Sequence, residues 1–128
     1  KGGYILVDSE KETPDAILMA SGSEVELIYE ASRKLKAEGI DVRVVSMPST
    51  DIFEEQSEEY KAAVLPKEVR ARLAVEAASS FGWHKYVGLD GDVLTIDTFG
   101  ASGPASVLFE EFGFTVDNVV NKVKKLIR

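Results

Sequence analysis

Apolar and polar positions alternate along the chain between the period of strands and the period of helices. Ala16-Ile17-Leu18-Met19-Ala20 is an unbroken apolar run, the pattern of a strand covered on both faces, as in a parallel sheet. Ser21-Gly22-Ser23 then turns the chain, and Ser23 with Glu26 three residues later forms a capping box that predicts a helix start. That helix runs over about 24–38 on the stripe Val25, Ile28, Ala31 and Leu35, and Gly39 ends it as a left-handed cap. Val42-Arg43-Val44-Val45-Ser46 reads as the next strand, stopped by Pro48, which completes a βαβ unit.

The remaining segments extend the pattern. Tyr4-Ile5-Leu6-Val7 is a short strand suited to an edge, followed by a polar loop. Residues 51–67 are irregular: Ser49-Thr50-Asp51 and Ser57 cap two short helical turns, and Pro66 breaks the second. Arg72-Leu73-Ala74-Val75-Glu76-Ala77 is a third buried strand, 81–88 a short helix and 93–98 a last strand. Phe99-Gly100-Ala101-Ser102-Gly103-Pro104 is a second strand-to-helix turn leading into a helix over about 105–111 that ends near Gly113. The final helix begins at Thr115 or Val116, with Val116, Val119, Val120, Val123, Leu126 and Ile127 on one face. The sum is a three-layer α/β domain with four or five strands, mostly parallel.

At 128 residues this is one domain, 1–128, in which Lys1-Gly2-Gly3 reads as a linker remnant and the chain as a piece of something larger. The net charge of -7 argues against nonspecific binding to nucleic acid or to an anionic membrane. The absence of cysteine removes disulfides, thiolate metal sites and a thiol nucleophile, and is compatible with a cytoplasmic protein. No apolar run approaches the roughly 20 residues needed to span a bilayer.

Candidate chemistry is sparse. The turn Ser21, Gly22, Ser23 lies where a helix N-terminus follows a strand, the place at which open α/β sheets hold small anions. Glu24 and Glu26 argue instead for an ordinary capped helix, since their charge already complements the dipole. His84 is the single histidine, suited to packing or the surface, and it limits any triad built on Ser21, Ser23 or Ser102. Asp90, Asp92 and Asp97 have a magnesium-like carboxylate count but the spacing of turn residues. Trp83, Tyr86 and Phe99, with Phe81, form an aromatic group that suits an interface or a core cluster equally.

Several segments in order carry a resemblance. These are Met19-Ala20-Ser21-Gly22-Ser23-Glu24-Val25-Glu26-Leu27, Arg43-Val44-Val45-Ser46-Met47-Pro48-Ser49-Thr50-Asp51-Ile52-Phe53, Val64-Leu65-Pro66, Ala74-Val75-Glu76-Ala77, Lys85-Tyr86-Val87-Gly88-Leu89, Thr98-Phe99-Gly100, and the run from Phe109 to Val120. With them the chain resembles the C-terminal domain of transketolases. The resemblance implies a three-layer α/β/α sandwich with a mixed five-stranded sheet, mostly parallel, whose first strand is antiparallel. It also implies a homodimeric, cytoplasmic parent enzyme of the pentose phosphate pathway that moves a two-carbon ketol unit between sugar phosphates with thiamine diphosphate and Mg2+ or another divalent cation.

In that family the cofactor lies between the N-terminal and middle domains, so those domains are the implied partners and this one is structural. The Gly-Asp-Gly that begins the family's thiamine signature is missing, and no catalytic, cofactor-binding or metal residue is carried onto this chain. Ala101 stands where many relatives carry glutamate. Two rival readings are a regulatory small-anion or nucleotide module at Ser21–Ser23 and Phe99–Ser102, and the equivalent domain of a related thiamine diphosphate enzyme. The segments 47–51 and 112–115 favour transketolase over the latter.

Overall fold

The apolar run Ala16–Ala20 is strand β2, and it takes the centre of the sheet because all five of its side chains are at most 1% exposed. Parallel neighbours β3 (Val42–Ser46) and β4 (Arg72–Glu76) flank it. β1 (Tyr4–Val7) and β5 (Asp92–Thr95) complete the order β1-β3-β2-β4-β5, with β1 alone antiparallel. The structure, a computed structural model, describes residues 2–22, 24–76, 83–95 and 115–127. The capping partner Ser23, the turn 99–104 and the helix expected over 105–111 lie outside the described residues.

Successive residues of a strand face opposite sides, so the sheet feeds two cores. Ala16, Leu18 and Ala20 join Val44, Leu73 and Val75 beneath α1 (Glu24–Ala37) and α5 (Val116–Leu126). Ile17 and Met19 join Val45, Phe53, Val64 and Ala74 beneath α2 (Thr50–Glu54), α3 (Glu58–Val64) and α4 (His84–Val87). The result is the expected three-layer α/β/α arrangement. Removing Ile17, Leu18 or Met19 from water contributes about 1.5–3 kcal/mol each, which makes this strand the anchor of both faces.

Local chemistry sets the helix ends. After α1, the Gly39 and Ile40 N–H groups return to the Lys36 and Leu35 carbonyls at 3.0 Å, a Schellman closure that needs the left-handed φ of +85° at Gly39. Ser49, Ser57 and Thr115 are N-caps whose hydroxyls accept from Ile52, Tyr60 and Asn118 N–H. Lys34 pairs with Asp117 and Lys124 with Glu38, joining α1 to α5 across the outer layer.

Two details depart from the sequence expectations, at Ile127 and at the helix after Trp83. Gly2 and Gly3 are buried: the Gly2 carbonyl accepts from Ser49 N–H at 2.9 Å and the Gly3 carbonyl from the Tyr60 hydroxyl at 2.6 Å. A Cβ on Gly2 would stand 2.3 Å from the Phe53 nitrogen, so the close approach itself demands glycine. Ile127 is 37% exposed because α5 closes at Leu126 and leaves it as the cap. The helix read over 81–88 is only His84–Val87 among the described residues.

Arg43 is 6% exposed within an otherwise apolar strand. Its guanidinium donates to Asp8 Oδ1 at 2.9 Å and to the Ala63 and Val64 carbonyls at 2.9 and 3.2 Å, so burial leaves it paired. Burial pushes the Asp8 carboxyl up, but Arg43 and the Ser9 N–H outweigh it and hold that carboxyl below its ordinary value.

Candidate functional site

The turn after β2 stands at the carboxyl end of the sheet, as the sequence requires, and Gly22 has a φ of +61°. Because Ala20 is in register with Val75, the next residues, Ser21 and Glu76, meet across β2 and β4. The Ser21 hydroxyl donates to Glu76 Oε2 at 2.5 Å. Glu24, 6% exposed, lies close enough that a Cβ on Gly22 would stand 3.6 Å from its Oε2. This turn therefore presents two carboxylates and a committed hydroxyl, a setting that favours cations and donors over anions.

The aromatic group divides. Trp83 and Tyr86, each 6% exposed, are buried in the second core. Their ring centroids are 6.2 Å apart at 69°, and Tyr86 meets Phe53 at 6.0 Å in the same edge-to-face manner. Both rings thus serve this domain's own packing. Phe99, Phe81, Ser102 and Asp97 lie outside the described residues, as does the side chain of His84. Asp90 pairs with Arg70, while Asp92 accepts from Val93 N–H at 2.8 Å and from Lys122 at 3.4 Å. Among the described residues, no three potential metal-ligating side chains converge.

A cluster that the sequence does not announce lies between α2 and α4. Glu54 Oε2 accepts from the Tyr86 hydroxyl at 2.6 Å, and Oε1 meets Lys85 at 3.0 Å and Lys61 at 3.7 Å. The Tyr86 hydroxyl, then the Lys85 ammonium, hold the Glu54 carboxyl below its usual range. Burial, then the Glu54 charge, pushes the Tyr86 phenol well above its own. Beside this cluster opens a cleft of about 260 Å³ with Phe53, Leu65 and Arg72 in its wall. An arginine opening an apolar strand, as in Arg72-Leu73-Ala74-Val75, was the one sequence signal of a polar fixture here.

Arg72 occupies the amino end of β4, opposite the end that carries Ser21 and Glu76. Its Nε donates to the Val69 carbonyl at 2.9 Å and its Nη1 to Tyr86 at 2.7 Å. Its Nη2 donates to Leu65 and Pro66 at 3.2 and 2.8 Å. The guanidinium so closes the carboxyl ends of both α3 and α4, where carbonyl dipoles favour a cation.

Comparison with known proteins places this architecture. The sequence profile of the transketolase-like TK C-terminal domain matches residues 2–115. Transketolase of Bacillus subtilis (strain 168) is 61% identical over 127 residues, covering 99% of this chain and 19% of that protein. Transketolase 1 of Escherichia coli (strain K12) is 57% identical over the same span, with the same coverage. Among solved structures, transketolase from Leishmania mexicana superposes with a TM-score of 0.88 at 42% identity, covering 98% of this chain and 18% of that one. A Pichia stipitis transketolase in complex with sedoheptulose 7-phosphate gives 0.87 at 42% identity, covering 99% and 18%. The chain thus spans about 19% of the length of the curated relatives it matches.

Proposed function

This chain belongs to the transketolase family as its C-terminal domain, and from that premise we propose that it braces the catalytic domains of a larger enzyme without contributing reacting groups. The parent transfers a two-carbon ketol unit between sugar phosphates in the pentose phosphate pathway, as a cytoplasmic homodimer that uses thiamine diphosphate and a divalent cation. Its N-terminal and middle domains hold the cofactor and the catalytic residues. The observation that carries this reading is the coverage: near-complete matches to this chain account for 19% of relatives that are whole transketolases.

The candidate side chains of Ser21, Asp90 and Asp92 do not fit thiamine diphosphate. A diphosphate with its cation needs converging oxygens and free donors, whereas Ser21 donates to Glu76 and the carboxylates of Asp90 and Asp92 each pair with a cation. No step of the reaction is routed through these residues. What the domain does offer its neighbours is apolar surface: Tyr4 and Leu6 on β1 are 45% and 43% exposed, and Ile52 on α2 is 48% exposed. Among the described residues, no helix is long and apolar enough to cross a membrane.

The test is an assay of the 128-residue chain with pentose phosphates, thiamine diphosphate and Mg2+. No turnover is expected from the chain alone. Adding it to a parent enzyme truncated before this domain is expected to raise the stability of the assembly. Turnover by the chain alone would overturn the proposal.

A further inference from the structure

We propose that the cationic wall formed by Lys67 and Arg72, on the side of the sheet that carries α2, α3 and α4, binds a small molecule bearing a phosphate group. The two residues stand between adjoining clefts of about 260 and 220 Å³, and each lines both. Together the clefts gather Lys61, Lys67, Arg70, Arg72 and Lys85 against Glu54, Glu58 and Asp90. This is an excess of two positive charges on a chain whose net charge is -7. Such a local reversal of sign draws anions to one place on an otherwise repelling surface.

The excess is concentrated at the shared wall. Lys85 and Lys61 lean on Glu54, Lys61 also on Glu58, and Arg70 on Asp90. Lys67 is exposed and has no ion pair among the described residues. Arg72 is bonded to four backbone carbonyls and, among the described residues, to no carboxylate. Carbonyls satisfy direction but carry no net charge, so a half-buried cation is left without a counter-ion. A guanidinium has five N–H groups, and the four used here leave one Nη1 hydrogen with no partner among the described residues.

That hydrogen and the three of the Lys67 ammonium are donors suited to a phosphate dianion, whose charge matches the local excess. Ala62 is exposed in the wall of the larger cleft, which the buried Phe53 and Leu65 back, and it supplies an apolar contact for a small organic body esterified to that phosphate. The turn at Ser21 has the opposite character, with Glu24 and Glu76 beside it. The anion is therefore assigned to the amino end of β4.

The test is an NMR titration of the chain, reading backbone amides, with inorganic phosphate and with glycerol 3-phosphate against sodium chloride at matched ionic strength. Saturable shifts confined to 65–72 and 85–89 are expected, with the ester binding more tightly than the free ion. Saturation by inorganic phosphate and not by the ester would keep the site and assign it to the free ion. Lys67→Ala is expected to weaken binding about tenfold, the loss of one charge-assisted hydrogen bond, while Lys67→Arg retains it. An unchanged melting temperature in both variants separates binding from folding, because Lys67 has no ion pair to lose among the described residues. Absence of saturation with both probes, shifts that chloride reproduces, or full binding by Lys67→Ala would overturn the proposal. Ketol transfer does not enter any of these readouts, so they stand or fall apart from the bracing role.

Discussion

Gly2 and Gly39 both occupy left-handed backbone, at φ of +79° and +85°, but their surroundings differ. A Cβ on Gly2 meets backbone atoms of Phe53, Ser49 and Ile52 at 2.3 to 2.8 Å, whereas a Cβ on Gly39 meets nothing within 4 Å. Gly39→Ala is expected to cost about 1 kcal/mol through backbone strain alone. Gly2→Ala is expected to cost more, because backbone must also move; paired urea denaturations measure the difference. The Glu54–Tyr86 bond makes a second residue-scale prediction. Glu54 has a lowered folded-state pKa, so the stability it provides is present above the ordinary carboxylate value and is lost as pH falls through the folded one. Tyr86 has a raised one, so its contribution is complete below the ordinary tyrosine value and declines as pH rises beyond it toward the folded value. Tyr86→Phe should flatten the alkaline decline and lower the mid-pH stability by about 1–2 kcal/mol, read from thermal melts across pH.

Elements differ in how much of them a local pattern can announce. β2 was legible because five consecutive apolar residues need no knowledge of partners, and the end of α1 because Gly39 carries its own backbone requirement. α5 was legible as well: Thr115 caps it, accepting from Asn118 N–H at 3.1 Å, and Val119, Val120 and Val123 are buried as the stripe demands. Thr115→Ala is expected to lower stability by about 1 kcal/mol with little change in the urea m-value, since a cap is lost without exposing core. Helices α2 and α3 were legible only as caps and breakers, since five and seven residues hold too little periodicity to fix a buried face. The cluster at Glu54 was not legible at all. Its tyrosine lies 32 residues away in sequence, and nothing local to either residue predicts their meeting. The carbonyl contacts of Arg72 likewise depend on where two helices end, which is a tertiary fact.

At the scale of the whole molecule, the two cores account for the sheet's interior, and the large apolar side chains left exposed among the described residues are Tyr4 and Leu6 on β1, Ile52 on α2, Leu89 between α4 and β5, and Ile127 after α5. Leu6 sits where the register between β1 and β3 shifts, between Ile5 and Val7, an irregularity that discourages uncontrolled edge pairing. Leu6→Lys is expected to leave the chain's own stability within about 0.5 kcal/mol. It should still weaken association with a parent enzyme truncated before this domain, as measured by sedimentation of the mixture. Matching segments made the family legible, while the bond from Ser21 to Glu76 was not, because register and not sequence neighbourhood decides that encounter. The position of β1 has one more consequence. It lies at the rim and runs against its neighbour, so a polypeptide joined ahead of it departs from the outside of the sheet without threading between strands.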